Sequence, residues 1–219
     1  MATLAAVEDS GQRYQMRRAL AIYPGTFDPV HAGHLAVARA ARDLLGATVL
    51  MVPDAAPMHR ATPHFDFSTR LTLLRLALRD EEGVVADDRS ARLTHPTRTL
   101  ELVRDIASAG GERPYLLISD EIAATLPDWE DPLALVRASR LVVFHRPGER
   151  PLDRRALGRI LGSVARRVAY IDTPLPDCRA TTIRADLAAG RDLGDCLPPP
   201  VAAALATLTN RSAVAEMQP

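Results

Sequence analysis

Residues 18–35, RALAIYPGTFDPVHAGHL, limit what the chain can fold into more than any other stretch. Leu20, Ala21, Ile22 and Tyr23 form an apolar run of strand length, and Pro24, Gly25 and Pro29 punctuate the turn behind it. His31 and His34 stand three apart, so at the start of a helix they share one face. A strand that feeds a glycine-containing turn and a helix N-terminus presents outward-pointing backbone N–H groups at the positive end of the helix dipole, an arrangement suited to phosphate.

The rest of the chain supplies the repeats of that unit. Apolar strands are expected at 47–52, 83–86, 114–118, 141–145 and 168–171. Helices are expected at 31–45, at 68–79 with Ser68 as cap, at 97–109, and as two short pieces around LPDW within 119–139. Further helices are expected at 152–164, 181–189 and 198–208. Short buried strands alternating with helices predict an α/β, Rossmann-like, doubly wound fold with a mainly parallel sheet and a small helical C-terminal part. Residues 1–16 read as a flexible extension, 17–208 as one domain and 209–219 as a frayed tail. In such folds ligands lie beyond the carboxyl ends of the strands, so the loops after Pro24, Pro53 and Ser119 should converge.

Composition narrows the chemistry. Lysine plus arginine equals aspartate plus glutamate at 27 each, so no global field favours nucleic acid or an anionic membrane. All 27 basic residues are arginine, which removes Schiff-base chemistry and a P-loop lysine. Two cysteines, Cys178 and Cys196, are too few for a disulfide framework and read as structural. No apolar run reaches the roughly 20 residues of a membrane span, and the N-terminal segment does not read as a signal peptide. The expected location is the cytoplasm, and an oligomer of identical chains is compatible with everything above.

The string GTFDPVHAGH resembles the (T/S)F-D-P-x-H-x-G-H signature of the nucleotidylyltransferase superfamily. LPDW followed by a DP-led helix, then LVVF and RPG, is similar to the nicotinate-nucleotide adenylyltransferase family. So are PDAAPMHR after the second strand and ATTIRADLAAGRDLGDCLPPPV near the end. The resemblance runs in consistent order over residues 18–205. It implies AMP transfer from ATP to nicotinate mononucleotide, giving deamido-NAD and pyrophosphate with magnesium assisting. The acceptor phosphate would attack the α-phosphorus in line, so catalysis is positioning and charge stabilisation.

On that resemblance His31, His34 and Arg184 are the catalytic candidates. Gly25, Thr26, Gly33, Ser119 and Thr181 join them on ATP. Thr26, Phe27, Arg60, Thr99 and Trp129 are the acceptor candidates. Asp120, Glu121 and Arg98 are weaker pocket candidates. Several readings stay open. Asp28 could organise magnesium or cap the helix. Trp129 could stack on the pyridine ring or belong to the core. His59 and Arg60 could touch substrate or form a solvated basic loop. The chain departs from the family pattern at Arg60, Thr69, Glu121, Arg179 and Ala180, and in HPTRTL, where only Thr99 and Leu100 match. These departures leave room for another phosphate monoester as acceptor, such as nicotinamide mononucleotide or phosphopantetheine, or for a nucleotide-binding protein without turnover.

Overall fold

The computed structural model describes residues 19–57, 62–93, 98–110, 113–129, 131–149 and 152–216. The expected N-terminal extension and the His59–Arg60 pair lie outside them. Six strands form one sheet: β1 (Leu20–Gly25), β2 (Thr48–Pro53), β3 (Val84–Ala86), β4 (Tyr115–Ser119), β5 (Arg140–Phe144) and β6 (Ala169–Ile171). Their order is β3-β2-β1-β4-β5-β6 and every pairing is parallel. This is the doubly wound arrangement expected from the strand–helix alternation.

Parallel strands bury both faces, and the side chains sort by the period of two. Ala21, Tyr23, Val49, Met51, Leu117, Val142 and Phe144 enter one apolar layer. Ile22, Leu50, Val52, Leu116, Ile118, Leu141 and Val143 enter the other. The first layer is completed by α1 (Ala32–Leu45), α2 (Phe67–Ala77), α7 (Ala180–Ala188) and α8 (Pro199–Glu216), through Leu35, Val37, Leu74, Ile183, Val201 and Leu205. The second is completed by α3 (Thr99–Gly110), α4 (Asp120–Ala124), α5 (Pro132–Ala138) and α6 (Arg154–Leu161), through Val103, Ile106, Ala123, Leu135 and Leu157. Each such aliphatic residue contributes roughly 1.5–3 kcal/mol on burial.

The sheet opens where the site forms. β1 pairs with β2 from Leu20 to Gly25, whereas its pairing with β4 covers only Ala21 and Ile22. Pro24 has no N–H with which to extend a ladder. A crevice therefore begins at the carboxyl end of β1, at the point where the strand order reverses.

Four local expectations are corrected. Helix α1 begins at Ala32 and His31 is its N-cap, since the residues after Pro29 are still extended. Asp66, not Ser68, caps α2, its carboxylate accepting from Thr69 N at 2.7 Å; aspartate competes well at that position. Helix α8 runs on to Glu216, well past 208, because no glycine or proline interrupts residues 201–216. Finally, Cys178 and Cys196 are joined in a disulfide across 18 residues. A count of two excludes a multi-bridge framework and is silent about one bridge. The reversal of the chain after α7 is what brings the two sulfurs together.

Candidate active site at the carboxyl end of β1

The turn after β1 is held from several directions. Phe27 has φ of +50°, and its ring is 1% exposed, set edge-on against Tyr23 at 5.5 Å and His34 at 4.9 Å between centroids. Packing compensates for the left-handed backbone of a bulky residue. A Cβ on Gly25 would stand 2.9 Å from that ring, so the turn admits only glycine there. The expected role of Phe27, a backbone amide offered to the acceptor, is thus joined by a core role of its side chain.

Arg70 on α2 is buried. Its guanidinium donates to Thr26 O at 2.6 Å, Asp54 O at 2.8 Å and Phe65 O at 3.1 Å. One side chain thereby ties the ends of β1 and β2 to the start of α2. Asp28 does not cap α1, whose N-cap is His31. Its carboxylate accepts from His64 N at 2.7 Å and Phe65 N at 2.9 Å, and the Arg184 guanidinium lies 3.5 Å away. Arg184 also donates to the Asp28 carbonyl at 2.5 Å. Helix α7, some 150 positions along the chain, is in this way fastened to the β1–α1 turn.

His31 and His34 come together as expected, stacked at 3.7 Å between centroids with 26° between planes. His31 N donates to His34 Nδ1 at 3.3 Å. Both rings are buried, yet His31 Nδ1 has no hydrogen-bond partner, an orphaned polar atom at a helix N-terminus. Burial pushes the His31 pKa down to about 4, with the positive charge of Arg146 adding to the effect. Arg146, directly after β5, also touches the Tyr23 phenol, whose pKa burial raises far above its ordinary value. At neutral pH the site therefore presents a neutral His31 beside a permanent cation. Gly33 lets the imidazole lie over the helix start: a Cβ there would be 3.1 Å from the His31 ring and 3.4 Å from the Pro176 carbonyl.

Thr181 is exposed in the first turn of α7. No side chain caps that helix, so its first N–H groups face solvent next to Arg184. The N-cap is Arg179, which instead donates to Glu149 Oε1 at 2.9 Å and Pro147 O at 3.0 Å, strapping the turn after β5 to α7.

The remaining expected residues are more dispersed. Ser119 caps α4, its Oγ accepting from Ile122 N at 3.3 Å. Trp129 is half-buried against the second apolar layer and donates from Nε1 to Thr125 Oγ1 at 3.1 Å, so the core reading of this ring is realised at least in part. Thr99 opens α3 and is half-buried. Arg98 donates its backbone N–H to Glu101, and Glu121 is exposed, 4.0 Å from Arg146. Arg60 is outside the described residues. Among those described, no group of three or more His, Cys, Asp or Glu residues is placed to hold a metal ion, and no helix is long and apolar enough to cross a membrane.

Sequence reasoning missed Arg70, Arg146 and the Asp120–His145 pair. Arg70 and Arg146 were visible only as parts of a departing TR pair and a turn-forming RPG. Their signal was charge next to apolar sequence, whose meaning depends on what the fold brings alongside.

Comparison with known proteins fits this geometry. The Cytidylyltransferase-like family matches residues 22–186. A protein of Stenotrophomonas maltophilia strain K279a named "Probable nicotinate-nucleotide adenylyltransferase" is 39% identical over 202 residues, covering 82% of this chain and 90% of its own. One of the same name from Aeromonas salmonicida is 32% identical, covering 85% and 94%. Among solved structures, Plasmodium falciparum nicotinic acid mononucleotide adenylyltransferase complexed with NaAD superposes with a TM-score of 0.69 over 84% of this chain and 93% of that one, at 15% identity.

Proposed function

Because this chain belongs to the cytidylyltransferase-like family and, within it, to the nicotinate-nucleotide adenylyltransferases, we propose that it transfers AMP from ATP to nicotinate mononucleotide, yielding deamido-NAD and pyrophosphate. The observation that carries the reading is the meeting of three elements at the carboxyl end of β1: the stacked His31–His34 pair at the start of α1, Arg146 beside it, and the open N-terminus of α7 fastened through Arg184. This is a donor-rich, acid-poor cleft suited to a polyphosphate.

The roles follow from position. The triphosphate lies along the turn, with the β- and γ-phosphates toward Thr181 and Arg184. His31, with its unpartnered Nδ1, and His34 contact the α-phosphate region, where charge develops during in-line attack by the acceptor phosphate. Gly25, Thr26 and Gly33 let backbone and ligand approach closely, and Ser119 closes the ATP side at the end of β4. Phe27 through its backbone, Thr99, Trp129 and Arg60 serve the acceptor. Arg70 and Asp28 hold the turn and touch neither substrate.

Magnesium fits this site only as part of the substrate. Both oxygens of Asp28 accept backbone N–H groups and the described residues offer no carboxylate cage. The ion would arrive on the ATP phosphates with its waters.

The test is direct. Purified protein with ATP, magnesium and an acceptor panel should form deamido-NAD from nicotinate mononucleotide with release of pyrophosphate. Product with a different acceptor only, or with none, overturns the reading.

A further inference from the structure

Asp120 is the first residue of α4, directly after β4, and is 3% exposed. Both of its carboxylate oxygens are engaged. Oδ1 accepts from Glu121 N at 2.9 Å, and Oδ2 meets His145 Nδ1 at 2.5 Å. His145 follows β5 and its side chain remains 44% exposed. A carboxylate buried at a sheet terminus loses hydration and needs a compensating donor. The imidazole supplies one while remaining partly exposed.

The pairing fixes what the other ring nitrogen can do. With Nδ1–H donating to Asp120, a neutral imidazole keeps Nε2 as a lone-pair acceptor. A carboxylate behind an imidazole also locks its orientation, the logic seen where such pairs hold histidine ligands. An aimed acceptor calls for a neutral O–H or N–H donor on the ligand, and a phosphate oxygen cannot provide one.

Topology says which half of the substrate lies there. Phosphates belong at the β1–α1 turn. The loops after β2 and β3 lie to one side of it, and β4, β5 and β6, leading into α7, lie to the other. Arg146, the neighbour of His145, reaches His31. Arg179 ties the same turn to α7. The β5 turn is therefore built into the ATP half of the crevice; the neutral donors of ATP are its ribose hydroxyls and its adenine amine, and the hydroxyls are the ones close in the molecule to the phosphates beside Arg146 and His31.

We propose that Asp120 is a positioning residue that holds His145 so that Nε2 accepts a hydrogen bond from a ribose hydroxyl of the bound ATP. The proposal rests on the site's being an ATP site and is independent of the acceptor. ATP, 2′-deoxyATP and 3′-deoxyATP are titrated by calorimetry, with magnesium, into the wild type and into His145→Ala, His145→Gln and Asp120→Asn, with melting temperatures alongside. In the wild type one deoxy nucleotide binds about 10-fold more weakly than ATP, the worth of one hydrogen bond to a hydroxyl; which one identifies the hydroxyl. In His145→Ala that ratio falls to about 1, and the melting temperature drops because the buried Asp120 carboxylate loses its donor; the protein stays folded at the titration temperature. Gln, whose amide oxygen accepts, restores much of the ratio, and Asp120→Asn lowers it part-way through the loosened ring. A ratio that persists in His145→Ala, or a wild type indifferent to both hydroxyls, overturns the proposal. Failure of nicotinate mononucleotide to react, with ATP still bound, overturns the acceptor assignment instead and leaves this result standing.

Discussion

The β1–α1 turn and the Trp129 region are built on different plans. Around the turn, Arg70, Asp28, Arg184, His31 and His34 join segments from α1, α2, α7 and the loop after β2 through buried contacts of 2.5–3.5 Å. Trp129, by contrast, leans on the second apolar layer, and its indole donates to its near neighbour Thr125. A site that stabilises developing charge must be rigid before the substrate arrives. A site that recognises an aromatic ring can rest on shape and stacking. Under the proposed function, reaction and acceptor preference are carried by separate parts of this molecule and can change separately.

Predictions can break or sharpen that contrast. The largest effect belongs to His34→Ala. It removes an imidazole from the phosphate cleft and should cut turnover by roughly 100- to 1,000-fold, with circular dichroism unchanged; a rate within a few fold of wild type would remove His34 from the chemistry. Next comes Arg70→Ala. It leaves the carbonyls of Thr26, Asp54 and Phe65 without their buried donor and should cost about 3–5 kcal/mol in urea denaturation, so a loss below about 1 kcal/mol would mean the turn stands without it.

Acid should affect the turn through His31. Its folded pKa, about 4, lies below the ordinary 6.5, so between these values the unfolded chain binds the extra proton. The stabilisation is full above about pH 6.5 and is lost as pH falls toward 4, by about 3 kcal/mol in total. In His31→Asn that pH dependence should flatten, as followed by chemical denaturation at a series of pH values. A comparable effect is expected from the Cys178–Cys196 bridge, whose loop of 18 residues predicts about 3 kcal/mol in the chain-entropy account; the melting temperature of Cys178→Ser compared with wild type reads it. The smallest effect is at Trp129, where Trp129→Phe should raise the KM for the acceptor by about 3-fold and leave that for ATP alone. A matching rise for ATP would erase the separation between the two regions.

Much of this was legible from residue order alone. The strands, the helices and the site at GTFDPVHAGH follow from apolar periodicity and from glycine and proline punctuation, because those signals act within a few residues. Long-range pairs were invisible for the same reason. Asp28 reads locally as a cap, yet its carboxylate holds the loop at 64–65 and faces Arg184. Arg70 reads only as half of the departing Thr69–Arg70 pair, yet it is 1% exposed and ties three segments together. Cys178 and Cys196 read as structural, with nothing in the residue order to say that they pair.

Local chemistry was enough to specify the class of fold and to bring His31 and His34 to one side of a helix start, since residues three apart there share a face. Folding was needed to decide the electrostatic state of the cleft. Whether His31 is neutral depends on burial by α1 and on a charge from the end of β5. How α7 is held at the cleft depends on Arg184 meeting Asp28, on Ile183 in the first apolar layer and on Arg179 reaching the turn after β5. Such energies depend on distances between segments far apart in the chain, and those distances exist only once the sheet has ordered its strands.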